Sequence, residues 1–137
     1  MRHSARLLGM AAAASLALGG VALAAHTTTV KAASGPLSAS LTASTHNPKL
    51  NVKMPISVTA TLHGKPAHAS AKYEFLFSGA VVSTQYVSHN KHFTFTGHYA
   101  DTLIFPSQAL GEPLTLRVVI NSDGHTVNLN WAITPVS

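Results

Sequence analysis

From Leu37 onward apolar and polar side chains alternate with a period of two, in runs broken by Gly, Pro, Asn and Asp. That period sends successive side chains to opposite faces of an extended strand, so one face of each run is suited to burial. Leu37, Ala39, Leu41 and Ala43 alternate with Ser38, Ser40 and Thr42 before Asn47-Pro48, and Ile56, Val58, Ala60 and Leu62 alternate with Ser57, Thr59 and Thr61 after Pro55. Tyr73, Phe75 and Phe77 share one face of a third strand with Glu74 on the other, Ser78-Gly79 turns the chain, and Ala80 to Ser88 reads as a fourth. After a turn at His89-Asn90-Lys91, Phe93 to Phe95 is a short extended piece ended by Gly97, and Tyr99, Leu103 and Phe105 lead a strand into Pro106. Leu114, Leu116, Val118 and Ile120, then Val127, Leu129, Trp131 and Ile133, mark two strands joined through Asn121-Ser122-Asp123-Gly124, a hairpin signal of the Asp-Gly kind. No apolar pattern of period 3.6 accompanies them. The predicted fold class is therefore all-β, an antiparallel β-sandwich of about seven strands over residues 37–135.

The first 25 residues follow another logic. Arg2, His3 and Arg6 precede an apolar stretch from Leu7 to Ala25 that ends in small residues, with Ala-Leu-Ala at 22–24. This is the order of a secretory signal peptide, and Gly19 and Gly20 interrupt it as a spanning helix. Residues 1–25 are read as that signal, residues 26–36 as a flexible lead-in, and the expected address is secreted or cell envelope, with no membrane span once the signal is removed. The remainder is one domain in size, expected to be a monomer, and its lack of cysteine leaves stability to the core alone. Without the signal, seven Lys and Arg face four acids, a formal charge of +3. The basic residues form no run, so no nucleic-acid partner is indicated.

Several stretches carry a resemblance. Gly64-Lys65-Pro66 opens the third strand, Tyr73-Glu74-Phe75 lies within it, and SGAVV follows at 78–82. The YADTLIFPSQALGEPLTLRVVI block at 99–120 and the HTVNLNWAI strand at 125–133 complete the pattern. Together, over about the last 100 residues, this resembles the immunoglobulin-like, or fibronectin type III-like, domains of bacterial secreted and surface proteins. The chain departs from antibody domains in having no cysteine pair, in carrying its only Trp on the last strand, and in lacking a Tyr at the start of strand 114–120. The resemblance implies spacers, adhesin modules and ligand binders alike, because fold does not select among them.

Catalytic chemistry is poorly represented. The four acids, Glu74, Asp101, Glu112 and Asp123, are scattered, cysteine nucleophiles are absent, and no Gly-x-Ser-x-Gly elbow or phosphate-cradling loop occurs. The chain is read as a non-enzyme that needs no cofactor. Histidine is the exception, with nine in total and eight after residue 25. If the strands alternate in direction, the connections near 63–68, 89–92 and 121–125 emerge at one end and bring His63, His68, His89, His92, Asp123 and His125 onto adjoining loops. They are candidate ligand residues, and imidazoles so gathered suit Zn or Cu. Solvated loop histidines explain the same residues without a metal. Tyr73, Phe75, Phe77, Phe105 and Trp131 are expected in the core, Arg117 in solvent, and Tyr86, Phe93 and Phe95 together form a candidate exposed patch for a partner at a sheet edge. The first reading is a secreted binding or structural module of the envelope, with a protein, glycan or cell-wall ligand. The alternative is a copper or zinc carrier using the loop histidines or His26 at a processed N-terminus.

Overall fold

The alternating runs become paired strands. The computed structural model describes residues 29–83 and 92–137, so the proposed signal (1–25), His26, His89 and the later part of the expected fourth strand lie outside the described residues. Within them run β1 (Thr29–Ser34), β2 (Leu37–Ala43), β3 (Met54–Leu62), β4 (Lys65–Pro66), β5 (His68–Phe77), β6 (Ala80–Ser83), β7 (Phe93–Thr96), β8 (His98–Leu103), β9 (Leu114–Ser122) and β10 (His125–Ile133). One sheet has the order β1-β2-β3, with β4 and β8 both pairing β3. The other has the order β10-β9-β5, with β6 and β7 pairing the two halves of β5. All these pairings are antiparallel.

The buried faces of both sheets share one apolar cluster, an arrangement consistent with a β-sandwich. Leu37, Leu41 and Val58 from one sheet and Phe75, Leu116, Val118 and Ile120 from the other are fully buried in it, as is Phe105 beyond β8. Each such side chain contributes about 1.5–3 kcal/mol by leaving water. The core expected from the alternation is thus present, with one exception. β5 keeps an unbroken register with β9, so Phe77 stays on the face of Phe75 opposite Leu114, but it ends the strand beside the Ser78-Gly79 turn and is 40% exposed, while the register shift beside Phe75 and Leu76 places its extra residue on β6.

Residues 26–36, expected as a flexible lead-in, contain β1 instead. It pairs β2 along its whole length through a two-residue turn at Gly35-Pro36, and Val30 and Ala32 pack against the core. Gly35 takes φ +56°, and a Cβ there would come within 2.9 Å of the His125 ring, so the hairpin needs glycine on both counts.

On the opposite flank the chain changes sheets. β7 ends beside β5, Gly97 turns at φ +74° against Pro66, and β8 continues along β3. The backbone there is fully engaged. Gly97 N–H donates to the Ala67 carbonyl at 2.9 Å, and Ala60 N–H donates to the Gly97 carbonyl at 2.9 Å. Phe93, Phe95 and Tyr99 gather at this flank with Tyr73, with ring centroids 4.4 Å apart for Phe93–Tyr99 and 5.2 Å for Tyr73–Phe93. Phe95 is buried and Phe93 half-buried, so these two members of the expected edge patch are instead packed inside.

Candidate functional site

Strand direction decides which connections meet. β2, β5, β8 and β10 run toward one end, and β1, β3, β7 and β9 run toward the other. The second of these ends carries the turns Gly35-Pro36, His63-Gly64 and Asp123-Gly124 together with Gly97. His63, Asp123 and their following glycines all have positive φ, the geometry of tight two-residue hairpin turns, which lifts the flanking polar residues to the rim.

Of the candidate residues, His63, His68, Asp123 and His125 do lie at this end. His63 N–H donates to the Pro36 carbonyl at 3.0 Å, and the His125 ring sits over Gly35, so both flank the β1–β2 turn. His68 opens β5 with Nδ1 3.1 Å from Thr96 Oγ1, and its carbonyl accepts from Ser122 Oγ at 2.8 Å. His92 does not join them. β6 and β7 run in the same direction along β5 and Phe93 pairs Ala71, which holds His92 near the middle of the sheet. The end gains instead an exposed residue that the alternation did not single out, His98, which follows Gly97 and pairs Thr59. Gly97 was the available signal, since a glycine between two aromatic-rich extended pieces permits a change of sheet. Among the described residues no group of three or more His, Cys, Asp or Glu side chains is placed to hold a metal ion. The end is a polar rim of separate side chains.

Polar groups elsewhere serve the fold. Tyr73 Oη donates to Asp101 Oδ2 at 3.1 Å, linking the two sheets, and Asp101 Oδ1 accepts from Thr102 N–H at 2.7 Å. Burial first, and the Asp101 carboxylate second, push the Tyr73 phenol well above its ordinary value near 10. On the outer face of the second sheet Arg117, expected in solvent, is bound to Glu74. Its Nε and Nη2 lie 2.8 and 2.7 Å from Oε1, while Lys72 Nζ is 3.3 Å from Oε2. Burial alone would raise the Glu74 pKa, but the bonds to Arg117 and then Lys72 outweigh it and hold the carboxyl below its usual range. At the far end His46 stacks on Trp131 at 3.8 Å and 11°, its Nδ1 2.6 Å from the Ala132 carbonyl, while Trp131 Nε1–H donates to the Thr45 carbonyl at 3.0 Å.

Comparison with protein-family models, with curated proteins and with solved structures finds no match. Among the described residues no helix is long and apolar enough to cross a membrane.

Proposed function

We propose that this chain is an exported, non-enzymatic binding or structural module of immunoglobulin-like architecture that works in the cell envelope or the surrounding medium. The sheet orders support the architecture. A β2-β3-β8 layer and a β10-β9-β5-β6 layer that share one core, with the chain crossing between them at Gly97, support a fibronectin type III-like reading with β1 added at its edge. The order Arg2, Arg6, the apolar run from Leu7 and the Ala-rich end supports export.

The observation that carries the binding role is the rim formed by the Gly35-Pro36, His63-Gly64 and Asp123-Gly124 turns. Rigid, paired strands present His63, His68, His98, Asp123 and His125 there, close together in the fold but free of a shared structural duty. Isotope-labelled protein titrated with soluble cell-wall glycan fragments tests this. Amide shifts should concentrate at residues 63–68, 96–98 and 122–125 and persist when a chelator is added. Shifts spread evenly over both ends, or lost on chelation, refute the reading.

A further inference from the structure

The two ends of the molecule differ in kind. One is the rim of histidines just described. All six large apolar side chains that stand exposed among the described residues belong to the other half: Val52, Ile104 and Leu110 on connections, Phe77 beside the Ser78-Gly79 turn, and Val81 and Val82 on β6. Isolated exposed aliphatics are ordinary on a protein surface, but their confinement to one half sets the two ends apart. Val52, Ile104 and Leu110 are 52%, 43% and 51% exposed. They rise from two different connections and do not share a strand face, a form better matched by a fluid interface than by a rigid complementary surface.

A further observation selects the fluid. Lys49 and Lys53 bracket Val52 in the 44–53 connection and help line an open hollow of about 200 Å³ with Asn47, Pro48 and Met54. Glu112 is the sole carboxylate side chain in the connections at this end among the described residues, against the two lysines.

We propose that the end bearing Val52, Ile104 and Leu110 seats on an anionic lipid surface, with these three side chains entering the interfacial zone and Lys49 and Lys53 facing lipid phosphates. Burial of apolar tips and attraction of lysines to anionic headgroups act together in such binding, and the second part weakens with salt. The proposal rests on the export reading only for where lipid is met. Vesicle binding by purified protein does not depend on export, so the two can fail separately.

The absence of cysteine makes the test clean. Full-length chains carrying Val52→Cys, Leu110→Cys or, at the opposite end, Lys65→Cys are labelled with an environment-sensitive fluorophore. Each is mixed with vesicles of phosphatidylcholine alone or with one quarter phosphatidylglycerol. The probes at 52 and 110 should shift to the blue and brighten several-fold on the anionic vesicles, while the probe at 65 stays unchanged. The same probes are placed on chains that start at His26, and a response seen with residues 1–25 present but lost without them assigns it to that segment and overturns the proposal. Adding Lys49→Gln and Lys53→Gln to the Leu110→Cys chain should weaken the response roughly 10- to 30-fold. No response at 52 and 110, or an equal response at 65, overturns the proposal. So does a blue shift that grows with protein concentration without vesicles, which makes a second copy the occupant, or one already complete in the isolated chain, which makes residues 1–28 the occupant.

Discussion

An imidazole lies flat against the only tryptophan of the chain, and its ring nitrogen reaches the backbone of the same strand. His46→Ala removes both contacts and opens one face of Trp131 to water. A red shift of tryptophan emission is expected, with a loss of about 1 kcal/mol in chemical denaturation. Glu74 sets an acid limb. Its carboxyl is held below the ordinary value, so its stabilising contribution is present at neutral pH and is lost as pH falls through that lowered value. Glu74→Gln should flatten the dependence of unfolding free energy on pH below about 4. Tyr73 acts at the other extreme. Its raised pKa stabilises the fold up to about pH 10 and is lost as pH climbs toward the folded value, so Tyr73→Phe should blunt alkaline destabilisation and cost about 1–2 kcal/mol at neutral pH. These pairs were not legible in the sequence. Glu74 and Arg117 are 43 residues apart on polar positions of two strands, and only the β5–β9 register makes them opposite partners. Phe77 keeps the face that the alternation gives it but is the last residue of β5, and periodicity does not mark where the cover of the opposite sheet ends.

Strands with one clean buried face were the easiest to read. In β2, β3, β9 and β10 every second residue enters the core, and the pattern of the sequence is the pattern of burial. β1 escaped notice because it lies at a sheet edge and buries only parts of Val30 and Ala32, between Lys31 and small residues whose composition resembles a linker. Its turn makes a sharp test. Gly35→Ala forces a left-handed alanine into the His125 ring and should destabilise the protein by about 1–2 kcal/mol or more. Combining it with His125→Ala should restore part of that loss, a non-additivity read from a double-mutant cycle by denaturation. The expected strand at 80–88 is described only over its first part, as β6, and the rest lies outside the described residues. β6 and β7 pair the two halves of β5 in the same direction, which places His92 away from the rim, and the change of sheet at Gly97 brings His98 to it.

At the scale of the whole molecule, stability rests on the cluster shared by the sheets. Leu116→Ala, at its centre, should cost about 2–5 kcal/mol and lower the denaturation midpoint without changing the number of transitions. The histidine rim, whose members do not form a ligand triad among the described residues, should bind Zn in calorimetric titration no tighter than about 100 μM. Placing that rim from sequence succeeded where hairpins reversed the chain in simple order and failed at His92, where β6 and β7 run the same way along β5, and at His98, where the chain changes sheets. β1 carries one more consequence. It is an edge strand antiparallel to β2 and is entered at Thr29, so tension applied from the preceding residues would load its backbone bonds one rung at a time, as a zipper opens, and not all at once in shear. Under load the molecule would yield this strand at low force while the two layers stay clasped, a mechanical fuse between whatever holds its leading residues and the sandwich behind them.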